Sequence, residues 1–446
     1  MVPVVTPEEM RAIDAEAVEP TEVLVDRAGR AVARATLRLL GGAYGRRVVV
    51  IAGRGSNGAD GRVAARRLEL AGVRVALVEA GVAAIPSCDL VVDAAYGTGF
   101  HGAWESPEVG TAPVLAVDLP SGVDGLTGEV SARALEAVST VTFAALKPGL
   151  LLGAGRALAG EVEVVDIGLD VSRACAHLVN DADVASWLPD RGQDAHKWQD
   201  AVWLVAGSPG MAGAAALAAR GAQRAGAGYV RVSTPGGAPG DGIPVEAVGT
   251  VLPACGWAAE VLDGCRRFGA LAVGPGLSRA EGTAAEVRSL VEGHGDLPLV
   301  VDGDGLHALG EAPSVGCGVV LTPHDGEYAR LAGHAPAADR LDAARSLAAT
   351  TGAVVLLKGS TTVIADPTGQ VLVTATGGAR LATAGTGDVL TGVLAALLAT
   401  GVSPLHAAAA AAHLHGRAGN LGWRRGLVAG DLPDLLPAAF DGLRTS

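Results

Sequence analysis

Two stretches of this 446-residue chain set glycine beside acid and hydroxyl side chains in patterns suited to phosphate chemistry. One is Ala384-Gly385-Thr386-Gly387-Asp388, which runs straight into an apolar segment. A glycine-rich turn that opens a helix leaves backbone N–H groups free to hold a phosphate. Asp388 is then a lone carboxylate beside an anion hole, the arrangement of a general base that takes a hydroxyl proton next to a phosphoryl group. Its competing role is to cap the helix. Lys358-Gly359-Ser360-Thr361-Thr362 follows an apolar run and reads as a nucleotide loop. Thr322-Pro323-His324-Asp325-Gly326-Glu327 follows another and brings His324 to the same sheet edge, as a structural histidine or a functional one. Gly274-Pro275-Gly276 and the small residues around Gly207 and Ala214 let backbone approach a ligand closely.

The other stretch is residues 53–61, GRGSNGADG. Gly53, Gly55 and Gly58 match the dinucleotide fingerprint, with Glu79 about 20 residues further on, the pattern of an NAD-dependent dehydrogenase. Asp60 argues against it, because a carboxylate there repels a bound pyrophosphate. Asn57, Asp93, Asp118 and Ser121 all follow apolar runs. At the ends of parallel strands they converge on one mouth and offer hard oxygen ligands, suited to alkali or alkaline-earth cations rather than zinc. Taken singly, each aspartate serves equally well as a cap.

The elements that position these residues read as alternating strands and helices. Thr6 and Glu9 form a capping box ahead of a first helix, and a second covers Thr21–Leu40. Strands are expected at residues 48–52, 73–78, 90–92, 114–117, 138–144 and 161–167, with a helix at 62–71. The second half restarts the rhythm, with strands at 202–206, 229–233, 271–273, 299–301, 319–321 and 354–357. A hairpin is expected at 363–374, and helices at 211–225, 389–399 and 407–412. The fold class is α/β with mostly parallel sheets, in two domains that meet near residue 175. The crossovers at 80–89 and 100–113 are barely long enough to join parallel strands, at about a dozen residues.

Thirty-four basic against 47 acidic residues give a net charge of −13, which excludes nucleic acid and anionic membranes as main partners. Aromatics at 3% are too few for a stacking surface. Five cysteines, Cys88, Cys175, Cys255, Cys265 and Cys317, form no CxxC pair and are expected as buried thiols. His413 and His415 point to different helix faces and do not make a zinc pair. No apolar run is long enough for a membrane span. The N-terminal MVPVVTPEEM lacks a signal-peptide pattern, so a cytoplasmic protein is expected.

Together the motifs resemble those of the bifunctional NAD(P)H-hydrate repair enzymes, a family that fuses an NAD(P)H-hydrate epimerase to an ADP-dependent (S)-NAD(P)H-hydrate dehydratase, and the resemblance implies a Rossmann-like three-layer domain over 1–175 and a ribokinase-like domain over 176–446. The resemblance rests on GRGSNGADG, Asp93–Gly99, AVDLPSGVDGLTG (116–128) and TFAALKPGLLLG (142–153) in the first half. In the second it rests on AGSPGMAGAA (206–215), VGPGL (273–277), TPHDGEYARL (322–331), LKGSTT (357–362) and LATAGTGDVLTG (381–392). It implies that Ser56, Asn57, Gly58, Ala59, Asp60, Gly97, Thr98, Gly99, Phe100, His101, Gly102, Ala103 and Asp118 contact the hydrate in the epimerase. Potassium falls to Asn57, Asp93 and Ser121. In the dehydratase, Ala214, Gly276, His324 and Asp388 face the hydrate, with Asp388 catalytic. ADP falls to Lys358, Gly359, Ser360, Thr361 and Thr362, and to Gly378, Ala379, Arg380, Leu381, Ala382, Thr383, Ala384, Gly385, Thr386 and Gly387, with Mg2+. The implied substrates are the hydrates NADHX and NADPHX, and a homo-oligomer is expected. The first-half loop departs from the usual NNGGDG at Ser56 and Ala59. Gly377-Gly378-Ala379-Arg380 stands where an Asn-Pro-type sequence is common. The alternative reading is a ribokinase-group small-molecule kinase with a non-catalytic N-terminal binding domain.

Overall fold

The computed structural model describes residues 1–444 apart from 131, 241, 281 and 317, with backbone only at 444. Cys317 therefore lies outside the described residues. Contacts divide the chain into two compact units, Val2–Cys175 and Ala176–Ser446 together with Met1.

The first unit runs β1 (Val2–Val4), α1 (Pro7–Ala15), α2 (Thr21–Leu40), β2 (Arg47–Ala52), α3 (Ser56–Leu70), β3 (Arg74–Glu79), β4 (Leu90–Ala94), β5 (Val114–Val117), β6 (Ser139–Phe143), α4 (Gly155–Leu158) and β7 (Glu161–Val165). Thr6 and Glu9 exchange the two hydrogen bonds of a capping box at α1. Six strands form a parallel sheet in the order β3-β2-β4-β5-β6-β7. Helices α2 and α3 cover one face, burying Val32 and Leu68 against Val48, Val50 and Val92. Phe100, Trp104, Leu135 and Ala137, all from irregular segments, cover the other. Among the described residues no helix occupies 80–89 or 95–113, in keeping with the trimmed crossovers, so this third layer is built from loops.

Helix α3 starts earlier than its glycines suggest. Residues 56–61 are helical from the N-cap Gly55 onward. Their glycines serve close packing. A Cβ on Gly58 would stand 1.9 Å from the Gly53 carbonyl oxygen, and one on Gly61 would stand 2.5 Å from Ala94 Cβ. Gly58 and Gly61 thus press the helix onto strand ends, whereas a Cβ on Gly55 would meet open space.

The second unit runs β8 (Ala176–Leu178), α5 (Asp181–Trp187), β9 (Ala201–Val205), α6 (Ala212–Arg224), β10 (Tyr229–Pro235), β11 (Val248–Leu252), α7 (Trp257–Gly264), β12 (Ala270–Val273), α8 (Thr283–Gly293), β13 (Leu299–Val301) and α9 (Asp304–Leu309). It continues with β14 (Val319–Leu321), α10 (Asp325–Ala332), α11 (Arg340–Thr351), β15 (Val354–Leu357), β16 (Thr362–Ala365), β17 (Val371–Thr374), α12 (Thr386–Ala399), α13 (Pro404–Leu421) and α14 (Leu432–Asp441). Its strands lie in the order β8-β17-β16-β15-β14-β13-β12-β9-β10-β11. Only β16 runs antiparallel to its neighbours, closing the expected hairpin with β17. Helix α12 is apolar on all sides because it is buried on all sides. Gly392 on α12 and Gly221 on α6 allow the two helices to touch: a Cβ on Gly392 would stand 1.9 Å from the Ala218 carbonyl oxygen.

In each sheet one strand is flanked by neighbours whose connections leave in opposite directions: β2 between β3 and β4, and β9 between β10 and β12. At such a switch point the loops after the strands part and leave a crevice. Residues 53–57 follow β2, and residues 206–211 follow β9.

The cysteines correct one expectation. Cys265 is buried and Cys88 is half-buried, but Cys175 and Cys255 are exposed. Both exposed thiols lie outside strands and helices, where no packed layer covers them.

Candidate active sites

In the first unit a cavity of about 840 Å³ opens beside α1, α3 and the loops after β4 and β5. Its acidic and basic lining side chains are Arg11, Asp14, Glu19, Asp60, Asp118 and Lys147. Asp118 has φ +67, a strained setting for a residue with a Cβ. Four donors hold it there. Lys147 Nζ lies 2.7 Å from Oδ1, and Thr142 Oγ1 donates to the same oxygen at 3.0 Å. Thr98 donates its N–H and its hydroxyl to Oδ2 at 2.9 and 2.5 Å. Burial works to raise the Asp118 pKa, but the Lys147 ammonium and the Thr98 donors outweigh it and hold the carboxyl below the usual range. Lys147 is 1% exposed, so its charge acts through little water.

Asp60 has the opposite setting. It is 7% exposed, and no described residue hydrogen-bonds its carboxyl. Burial, then the charges of Asp118 and Asp14, push its pKa up to about 8, so it is protonated at neutral pH. Asn57 is buried too, and both polar atoms of its carboxamide lack a partner. A Cβ on Gly97 would stand 2.8 Å from Asp118 Oδ2 and 3.2 Å from Asn57 Oδ1, which brings these three residues to one point. Asp93 is fully buried and accepts from Ser121 Oγ at 2.6 Å, Ser121 N at 2.9 Å and Ala95 N at 3.3 Å. Burial raises its pKa against those donors.

Of the residues expected to contact a hydrate, Ser56, Asn57, Asp60, Gly97, Thr98, Gly99, Phe100 and Asp118 line the cavity. Gly58, Ala59, His101, Gly102 and Ala103 do not. Gly58 is turned against the Gly53 carbonyl, and 101–103 are exposed loop.

In the second unit the N-terminus of α12 stands beside a buried ion network. Gly385 is the N-cap, in the left-handed region at φ +90, so Asp388 falls in the first turn and does not cap the helix. No described residue hydrogen-bonds its carboxyl. Burial first, then Asp302, push the Asp388 pKa up to about 7, with Lys358 opposing. Lys358 Nζ lies 2.9 Å from Asp302 Oδ1 and 3.5 Å from Glu327 Oε2. Thr322 and Thr391 hydroxyls donate to the two Asp302 oxygens at 2.7 and 2.8 Å. Burial works to raise the Asp302 pKa, but Lys358 and these hydroxyls hold it low; burial likewise works to lower that of Lys358, which Asp302 and Glu327 hold high. A Cβ on Gly387 would stand 3.6 Å from Lys358 Nζ, so the cation sits beneath the amides of the turn.

His324 caps α10. Its Nδ1 accepts from Gly326 N at 3.0 Å, which leaves the ring proton on Nε2, and Glu327 accepts from its backbone N–H at 2.9 Å. Its side chain is 59% exposed. Gly276, at φ +62, packs on Ala214: a Cβ there would stand 2.9 Å from Ala214 Cβ. The loop holding Gly276 is tied down where Ser278 N donates to Asp304 Oδ2 at 2.9 Å.

The expected nucleotide residues divide. Gly359, Ser360 and Gly377 meet, with the Ser360 carbonyl oxygen 3.2 Å from a Cβ on Gly377. Arg380 donates to the carbonyls of Asn420 and Gly422, and Leu381 lies on Gly419, so both anchor the loop to α13. Thr386 Oγ1 donates to the carbonyls of Leu381 and Thr383. Lys358 spends its ammonium on Asp302 and Glu327. His413 pairs with Asp181 at 2.7 Å. Among the described residues no group of three or more His, Cys, Asp or Glu side chains forms a metal cluster.

Sequence reading passed over Lys147, Asp302 and Asp304, and weighed His415 only as half of a zinc pair. The two aspartates had a signal, since each stands just beyond a strand as Asp118 does. Lys147 was marked by its place inside an apolar run, where a lysine is rarely buried unless paired. Nothing in the spacing of His415 marked it as buried. It is buried on α13, and burial lowers its pKa to about 4, so it is neutral.

A Rossmann-like unit and a ribokinase-like unit, each with acid side chains at a sheet switch point, define a two-site enzyme architecture. The sequence pattern described as NAD(P)H-hydrate dehydratase matches residues 202–439, and that of the YjeF-related protein N-terminus matches 21–84 and 77–149. The bifunctional NAD(P)H-hydrate repair enzyme of Salinibacter ruber is 38% identical, covering 98% of this chain and 95% of its own. That of Mycobacterium tuberculosis H37Rv is 37% identical over 83% of this chain and 82% of its own. The ADP/ATP-dependent NAD(P)H-hydrate dehydratase of Bacillus subtilis, co-crystallized with ATP/Mg2+, is 31% identical, with a TM-score of 0.51, over 59% of this chain and 97% of its own. The chain belongs to the family of bifunctional NAD(P)H-hydrate repair enzymes.

Proposed function

We propose that the first unit interconverts the R and S epimers of NAD(P)H-hydrate and that the second dehydrates the S epimer at the expense of ADP. The observation that carries the reading is Asp388: a half-buried carboxyl with no hydrogen-bond partner among the described residues, in the first turn of a helix whose opening amides point to a phosphate site. The hydrate's hydroxyl gives its proton to Asp388 as its oxygen bonds to the terminal phosphorus of ADP and AMP leaves. Amides of 384–387 accept the charge that builds on the moving phosphoryl oxygens. Phosphate then departs with the C–O electron pair, and loss of a proton from the neighbouring carbon restores the dihydronicotinamide. Asp302 keeps Lys358 charged beside this turn. His324 Nε2–H, 3.6 Å from Glu327 Oε2 on a mostly exposed ring, is the donor that meets the hydrate.

Magnesium fits as a nucleotide-borne ion, because the described residues offer no carboxylate cage for it. It supplies charge neutralisation at the phosphates. Potassium fits Asn57, Asp93 and Ser121: the unpartnered Asn57 carboxamide and the buried Asp93 carboxylate are the donors such an ion needs, and it would offset the cost of burying Asp93.

The kinase alternative is disfavoured by relatives that span both units. The dehydrogenase alternative is disfavoured by Asp60 and by the packing of Gly53 and Gly58. The test is recovery of absorbance at 340 nm when the full chain receives S-hydrate and ADP, then R-hydrate and ADP. Recovery from both supports both activities. Recovery from S alone removes the epimerase, and a stable phosphorylated product without recovery favours a kinase.

A further inference from the structure

Asp60 and Asp118 line one cavity from different elements, α3 and the loop after β5. They are equipped differently. Asp118 accepts from four donors, Lys147 among them, and stays a carboxylate. Asp60 is more than nine-tenths buried, faces the same cavity and has no hydrogen-bond partner among the described residues. Of the four carboxyl groups lining the cavity, those of Asp14, Glu19, Asp60 and Asp118, Asp60 is set to hold a proton and Asp118 to be without it, and two such groups in one site form an acid–base pair. The burial that keeps Asp60 protonated near neutrality supports that division.

Resting on the reading of this unit as an epimerase, we propose that Asp60 is the general acid that protonates the departing hydroxyl of the hydrate, with Asp118 as the carboxylate that receives the proton of the returning water. Water adds to an enamine at the carbon bonded to nitrogen, so the hydrate's hydroxyl stands next to the ring nitrogen. In the first half-reaction the C–O bond breaks and its electron pair leaves on oxygen. The Asp60 proton completes a water molecule, and the nitrogen lone pair becomes a C=N bond. The flat cation lies beside the Asp118 carboxylate. In the second half-reaction a water oxygen bonds to the other face of that carbon, the C=N pair returns to nitrogen, and the water's proton passes to Asp118. Exchange with solvent through the cavity then moves the proton back to Asp60. No oxidant, reductant or nucleotide is needed.

The test uses the full chain with R-enriched NADH hydrate and no ADP, in water enriched in oxygen-18, following inversion and label in the hydroxyl together. The parent chain is expected to gain one label per inversion. Asp60→Asn keeps the shape and neutrality of the protonated acid and removes only its transferable proton. Its kcat for inversion is expected to fall by about a hundredfold or more, with KM within threefold and the ADP-dependent dehydration of the S epimer unchanged. Asp118→Asn is expected to lose inversion as well. An Asp60→Asn chain that inverts within threefold of the parent overturns the acid while Asp118 still marks the site. Inversion by the parent without label overturns the C–O cleavage route, whatever the fate of the variants. A parent chain that does not interconvert the epimers overturns this proposal and the epimerase reading together.

Discussion

Replacing Asp60 by Asn should stabilise the first unit, and by an amount that depends on pH. In the folded chain Asp60 holds its proton up to a pKa of about 8, whereas an unfolded aspartate lets go near 3.8. Between those values the folded state binds a proton that the unfolded state has released, so stability falls as pH rises and levels off above 8. Each pH unit costs about 1.4 kcal/mol, and from 3.8 to 7 that sums to about 4 kcal/mol. Asparagine carries no such cost. Hydrogen exchange at β2 and β4 reads the opening of this unit separately from the other. In potassium-free buffer the variant's protection should exceed the parent's by up to about a thousandfold at pH 7 and match it near pH 4. Equal protection at pH 7 would refute the burial argument, because it would mean that Asp60 ionises in the folded chain without penalty.

Other consequences concern the second unit. With Asp388 as base and a pKa of about 7, dehydration should fall about tenfold per pH unit below that value and level off above it; an initial-rate profile from pH 5 to 8 that is flat would contradict this. Asp304 is one of the charges that raise Asp388, so Asp304→Asn should move that acid limb to lower pH, as read from the same profile. Lys358→Met leaves the Asp302 carboxylate buried without its counter-charge and should destabilise the second unit by about 3–5 kcal/mol. Denaturant titration followed by tryptophan fluorescence checks it, since only Trp104 of the six tryptophans lies in the first unit.

Much of this architecture was legible in the sequence because parallel strands buried on both faces read as short apolar runs. The runs at 48–52, 90–92 and 114–117 mark β2, β4 and β5, and strand-end aspartates mark the mouth of the sheet. The starts of α3 and α12 were set too late. In both, glycine in the first turn serves close packing or a cation's approach, and glycine in a sequence does not say which use it has. Long-range pairings were out of reach. Nothing near Asp118 announces Lys147, and nothing near Lys358 announces Asp302. The contrast between Asp60 and Asp118 was equally hidden: one lies on a helix and the other follows a strand, and only burial and partners separate a held proton from a lost one.

The central claim is that Asp388 takes the hydroxyl proton while the turn before it holds the phosphates. Single-turnover dehydration of S-hydrate by the Asp388→Asn chain, with ADP affinity measured alongside, tests it most directly. The account predicts a rate lower by about 10²–10⁴-fold with ADP binding retained. A rate within threefold of the parent would contradict it.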